Sequence, residues 1–63
     1  MSVQTVFYAY NIGQRVTVLA IERPGFVDGL STDAKGETYR VVFWEQGQRK
    51  MEWLYEWEIT ARE

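Results

Sequence analysis

Apolar residues recur at every second position through most of the chain, which is the spacing of strands and not of helices. Within residues 15–20, for example, Val16 and Val18 alternate with Arg15 and Thr17. Val, Thr, Tyr and Trp are frequent in these stretches, and such β-branched and aromatic side chains suit a pleated surface. The alternation therefore predicts an all-β fold.

The same pattern predicts five short strands. They cover residues 15–20, 26–30, 38–44, 49–54 and 59–60. Pro24 and Gly25 are expected to reverse the chain after the first strand, because Pro fixes φ and Gly accepts a positive φ. Gly29 is expected to mark a bulge that bends the second strand. Residues 31–37 carry no large apolar side chain and are predicted to form an exposed loop.

These elements predict one small five-stranded barrel with a short helical turn, residues 55–58, before the last strand. Residues 11–63 make up the barrel, and residues 1–10 form an N-terminal arm or an edge strand. Val6, Tyr8 and Tyr10 alternate within this arm. Two alternatives stay open for it, namely pairing within its own barrel and association with a second copy.

The hairpin around residues 46–48 allows two registers, and the choice decides which side chains face inward. A two-residue loop at Gln46 and Gly47 sets Phe43 opposite Lys50 and mixes apolar and charged groups on one face. We predict a loop of odd length, which makes the apolar pairs Phe43–Met51, Val41–Trp53 and Tyr39–Tyr55. Arg40, Val42 and Trp44 are then expected to point outward.

Length and composition limit the chemistry available to the chain. It has 63 residues, no Cys and no His, so disulfides, thiolate metal sites and the commonest general base are missing. We therefore expect no metal, no cofactor and no catalytic residues. A chain this short gains little burial from one core, so a homo-oligomer is expected. No apolar run is long enough to cross a membrane, and a cytoplasmic location is predicted.

Several segments resemble the Tudor, chromo-barrel and related SH3-like families. They are residues 12–16, 25–27, 39–44 and 53–59, and the run from residue 12 to residue 59 covers about three quarters of the chain. The resemblance implies an SH3-like barrel. It also implies a binding function, since members of these families bind methylated lysine or arginine, nucleic acid or protein segments.

The layout also resembles the type II dihydrofolate reductases encoded by plasmids, which are SH3-like barrels assembled as a tetramer around a pore. Those proteins carry a Val-Gln-Ile-Tyr motif on the strand that lines the pore. The corresponding stretch here is residues 50–55, and only Tyr55 matches. This resemblance implies an oligomeric barrel as one alternative.

Aromatic residues make up 16% of the chain, more than a small core needs. Tyr8 and Tyr10 are expected to be among the spare rings. Phe26, Trp44 and Trp57 are candidates for a cage around a methylated cation, held by cation–π attraction. Glu45 and Glu56, with Glu58, would then form an acidic rim. The alternative is that Trp57 caps the barrel and Trp44 packs at a subunit contact.

A second candidate surface is basic. Arg40, Arg49 and Lys50, with Trp44 between them, have the composition of a small nucleic-acid site in which charges hold phosphate and the ring stacks on a base. The alternative is that these are solvated strand ends. A formal charge of −2 argues against strong binding to nucleic acid. The sequence therefore favours a non-catalytic module that binds a protein or peptide through exposed rings, with nucleic-acid binding or a reductase-like oligomer as alternatives.

Overall fold

The structure is a computed structural model that describes residues 8–62. One antiparallel sheet contains β1 (Arg15–Val18), β2 (Arg23–Asp33), β3 (Gly36–Glu45), β4 (Gln48–Tyr55) and β5 (Ile59–Ala61), and a 3₁₀ turn (Glu56–Glu58) precedes β5. The order across the sheet is β4-β3-β2-β1-β5. The predicted all-β class, the five strands and the helical turn before the last strand are confirmed.

One side of the sheet, the inner face, carries the core. Its buried members are Val16, Val18, Val27, Tyr39, Val41, Phe43 and Ile59. Tyr8 and Tyr10 pack edge-on against Tyr39, with ring centroids 6.0 and 5.2 Å from it. The expectation that these two tyrosines are spare rings was wrong, because they cover the core. Val6 and the rest of residues 1–7 lie outside the described residues, so the proposed role of the arm stays a prediction.

The first chain reversal lies at residues 19–22, where Glu22 has φ +52°. The prediction that Pro24 and Gly25 form this turn was wrong, since both belong to β2 and Pro24 pairs with Thr17. Gly25 is required for another reason. A Cβ at this position would lie 2.6 Å from the carbonyl oxygen of Val42, so only glycine allows β3 to approach so closely.

The predicted loop at residues 31–37 is instead the end of a hairpin, in which Asp33 pairs with Gly36. A carboxylate oxygen of Asp33 accepts a hydrogen bond from the backbone N–H of Lys35 at 2.8 Å and closes the turn. Polar residues suit this ribbon because most of it is exposed. The bulge predicted at Gly29 is confirmed, since the β2–β3 register shifts between Val27 and Gly29.

The odd-length loop predicted for the β3–β4 hairpin was wrong. Phe43 pairs with Lys50, and the two loop residues Gln46 and Gly47 have φ +52° and +76°. Two successive left-handed residues make a type I′ turn, whose twist matches that of the flanking strands. Lys50 can share a face with Phe43 because β4 is an edge strand and its side chain stays exposed.

The corrected register moves every side chain of β4 to the opposite face. Met51 and Trp53, predicted to lie inside, point to the outer face and are half exposed. Tyr55 pairs with Thr38 instead of Tyr39. Val42 does point outward as predicted, yet it is fully buried. Something on the outer face must therefore cover it.

Candidate functional site

The outer face carries a second apolar layer. Phe26, Val42 and Met51 form one row across β2, β3 and β4, with Val42 in the middle. Val42 is fully buried although it does not belong to the core cluster. We call Phe26, Val42, Trp44, Met51 and Trp53 the aromatic face. Its exposed members are Trp44, Met51 and Trp53, which are 52%, 52% and 50% exposed.

At one end of the aromatic face, Phe26 and Trp44 form a ring pair. Their centroids are 6.3 Å apart and their planes are tilted by 37°. Together with Gly13, Arg15, Pro24 and Gly25 they line a cleft of about 390 Å³. Arg15 pairs with Phe26 across the strands, and Arg49 pairs with Trp44. Two guanidinium groups therefore flank the two rings.

At the other end, Trp53 lies over Arg40. The guanidinium carbon of Arg40 is 5.7 Å from the centroid of the indole, within the range of a cation–π contact. Arg40 also donates two hydrogen bonds to Asp28, from Nε at 2.7 Å and from Nη2 at 3.3 Å. These bonds and the charge of Asp28 raise the pKa of Arg40 above its ordinary value. Asp28 is the extra residue of the bulge, and this position directs the Asp28 carboxylate toward Arg40.

Trp57 is separate from the ring pair. It stacks on Tyr55 with centroids 4.6 Å apart and planes 4° apart, and it is 66% exposed. Tyr55 pairs with Thr38, six residues along β3 from Trp44, which at the rise of a strand is about 20 Å. The structure thus brings Phe26 and Trp44 together and leaves Trp57 apart, so the three rings do not surround one ligand.

The Tyr55 hydroxyl anchors this second ring pair by donating a hydrogen bond to Asp33 at 3.0 Å. That bond raises the pKa of Tyr55, and desolvation and the nearby charges of Asp33 and Glu58 add to the shift. Glu58 also accepts a hydrogen bond from the backbone N–H of Tyr55 and so fixes the start of the 3₁₀ turn. Glu56 lies beside Trp57 in this turn and is exposed.

The glutamates of the predicted acidic rim lie in two separate places. Glu45 accepts a hydrogen bond from Lys50 at 2.8 Å. This bond and the charge of Lys50 hold the pKa of Glu45 below its ordinary value, and Arg23 contributes further. Glu45 is therefore neutralised locally, and Glu56 lies at the far end of the hairpin next to Trp57. The residues that pair with Phe26 and Trp44 from β1 and β4 are both arginines, Arg15 and Arg49.

The predicted basic patch is also divided. Arg40 and Arg49 share the outer face, whereas Lys50 pairs with Phe43 on the inner side. Arg40 is ion-paired with Asp28 and Lys50 with Glu45. Among residues 8–62, Arg49 forms no ion pair. Of the three, Arg49 alone presents an uncompensated charge next to Trp44.

Three members of this surface were not predicted from the sequence, namely Arg15, Met51 and Trp53. The signal for the last two was the Gln46-Gly47 pair, because a two-residue loop places both side chains on the outer face. The signal for Arg15 was weaker, since it depends on how β1 and β2 pair.

Two further findings concern the part of the chain that the structure describes. No three Asp or Glu side chains come together there as metal ligands would. None of its helices is long and apolar enough to cross a membrane.

Comparison of the chain with family models, with curated proteins and with solved structures finds no match. The site therefore has to be argued from its own geometry.

Proposed function

We propose that the protein is a non-catalytic binding module that engages a protein or peptide partner through its aromatic face. The observation that carries this proposal is the half-exposed state of Trp44, Met51 and Trp53 on one side of the sheet. Contiguous exposed apolar area commonly marks an interaction site, and Trp is enriched among the residues that contribute most to binding.

The charges around the aromatic face support a partner segment that combines apolar and acidic residues. Arg15 and Arg49 pair with Phe26 and Trp44, and the cleft that these two rings help to line suits an apolar side chain. A neighbouring carboxylate on the partner would then meet a guanidinium group, for which Arg is well shaped. A methylated cation is less well matched, because the nearest uncompensated charges are positive.

We also infer that the fold is an SH3-like barrel. The strand order β4-β3-β2-β1-β5, with a 3₁₀ turn before β5, supports this assignment. A Tudor-like or reductase-like identity would be a more specific assignment. For the reductase-like identity, the one matching residue is Tyr55. A cytoplasmic location stays a prediction of the sequence.

Nucleic-acid binding is the second candidate. The feature in its favour is Arg49 beside Trp44, a cation next to a ring on which a base can stack. Against it stand the ion pairs of Arg40 and Lys50 and the net charge of −2. Because affinity for nucleic acid depends on the number of free cations, we favour the peptide partner.

The test uses three probes and the amide spectrum of the full chain. The probes are a peptide of Phe, Leu and Glu residues, the same peptide with Lys in place of Glu, and a single-stranded thymidine oligonucleotide. We expect the acidic peptide to shift the signals of Phe26, Val42 and Trp44, and the basic peptide to leave them unchanged. A response to the oligonucleotide alone would replace the proposal by nucleic-acid binding.

Two matched variants locate the site. Trp44→Ala is expected to abolish the response to the acidic peptide, because it removes one wall of the cleft. Trp57→Ala removes a ring that is even more exposed, at the far end of the hairpin, and is expected to leave the response intact. Loss of binding in Trp57→Ala, with binding kept in Trp44→Ala, would overturn the proposal for the aromatic face.

A further inference from the structure

β4 is an edge strand with an open side. It pairs with β3 over its whole length, from Gln48 opposite Glu45 to Tyr55 opposite Thr38, and no bulge interrupts the register. Within residues 8–62, no strand pairs with its other edge. A long, regular edge that carries apolar side chains is a template for pairing with another strand, and proteins usually block such edges.

The hairpin loop determines which backbone groups of β4 point to the open side. In a hairpin with a two-residue loop, the residues that flank the loop exchange hydrogen bonds, and bonded and unbonded pairs then alternate along the strands. Gln48, Lys50 and Glu52 therefore bond to β3. The backbone N–H and C=O groups of Arg49, Met51 and Trp53 are directed outward.

The side chains of β4 are complementary to a second, antiparallel copy of the same strand. When the two-fold axis passes through Met51, Lys50 of each copy lies opposite Glu52 of the other. Arg49 of each copy then lies opposite Trp53 of the other on the outer face, so no like charges meet at these positions. Met51 pairs with itself through its outward backbone groups.

Neighbouring registers lack this complementarity. An axis through Lys50 sets two lysines against each other, and an axis through Glu52 sets two carboxylates against each other, which is unfavourable across a strand pair. If the axis passes between two residues, a residue whose backbone groups point to the open side lies opposite one whose groups point to β3. The outer face of one copy then adjoins the inner face of the other. Only the register centred on Met51 combines matched hydrogen bonds with opposite charges.

We propose that two copies of this chain form a symmetric dimer by antiparallel pairing of β4 with β4, centred on Met51. The existing bond from Lys50 to Glu45 is compatible with this arrangement, because an ammonium group has three donors and can bridge both carboxylates. The pairing joins two sheets into one and places two aromatic faces side by side. It does not depend on the proposed peptide partner, since the cleft for the peptide is lined by Phe26 and Trp44, which lie on β2 and β3. Met51 and Trp53 of the aromatic face do lie on β4, but the pairing uses their backbone groups and leaves their side chains on the outer face.

A charge swap tests the register. The dissociation constant of the dimer is measured for the full chain by sedimentation over a range of concentrations. Glu52→Lys sets lysine against lysine at two places and is expected to weaken the dimer about tenfold or more. Lys50→Glu sets carboxylate against carboxylate with the same result. The double variant, Lys50→Glu with Glu52→Lys, restores opposite charges and is expected to restore the dimer.

Glu56→Lys serves as the matched control, because it makes the same charge change in the 3₁₀ turn instead of β4. It is expected to leave the dimer unchanged, and circular dichroism checks that each variant is folded. A wild-type chain that is a monomer throughout the concentration range would overturn the proposal. So would a dimer that the double variant fails to restore. Peptide binding that survives Glu52→Lys would show that the two proposals are separate.

Discussion

Trp53 extends across β3 and covers Gly29 on β2, so that a Cβ placed on Gly29 would lie 3.3 Å from Cη2 of the indole. The same ring lies over the guanidinium group of Arg40, which stands between the two strands. A glycine within a strand has no side chain to pack, and a ring from a neighbouring strand can supply that packing. The bulge, the ion pair with Asp28 and the position of Trp53 are therefore parts of one arrangement.

We expect Gly29→Ala to lower the free energy of unfolding by about 1 kcal/mol. The new methyl group would lie 3.2 Å from Cβ of Arg40 and 3.3 Å from Cη2 of Trp53, so the ring and the backbone that carries Arg40 must each shift slightly. Alanine also restricts the unfolded chain, which offsets part of the loss. Urea unfolding of Gly29→Ala, Trp53→Ala and the double variant measures the coupling between the two positions. If Gly29→Ala lowers the free energy of unfolding equally with and without the Trp53 ring, the contact between the ring and position 29 does not contribute to stability.

Substitutions at the two loop positions of the type I′ turn are expected to have opposite effects on stability. Gly47 has φ +76°, and Gly47→Ala is expected to cost about 1 kcal/mol because an L side chain strains this conformation. Gln46 has φ +52°, and Gln46→Asn is expected to stabilise by a few tenths of a kcal/mol, since Asn-Gly is favoured there. Thermal unfolding measures both variants. A stabilising Gly47→Ala would contradict the turn and with it the register of β4.

The contact between Tyr55 and Asp33 predicts a loss of stability at alkaline pH. The pKa of Tyr55 is raised in the folded chain, so its contribution to stability is present below the pKa of the unfolded state. It is lost as the pH rises through the higher pKa of the folded state. Asp33→Asn removes the charge of the carboxylate and is expected to lower the pKa of Tyr55 toward its ordinary value.

Absorbance of tyrosinate checks this prediction. The difference between the titration of the wild-type chain and that of Tyr55→Phe isolates Tyr55 from the other three tyrosines. The same difference is then measured in the Asp33→Asn background. An unchanged pKa of Tyr55 there would show that the charge of Asp33 does not cause the shift.

The five strands of this protein could be predicted from local patterns. The alternation of apolar and polar residues indicated them, because a strand periodicity of two is a local property. The bulge at Gly29 was predictable for the same reason, since a glycine within a strand weakens regular pairing. None of these features requires knowledge of the neighbouring strand.

Which face of β4 meets the core depends on tertiary contacts. A shift of one residue leaves the alternation intact but exchanges the two faces, so the pattern could not reject the register that pairs Phe43 with Met51. The two left-handed residues Gln46 and Gly47 and the edge position of β4 determine the register instead. Val42, Met51 and Trp53 consequently became a second apolar layer. Their role as a candidate binding surface follows from strand pairing, which depends on contacts between residues distant in sequence.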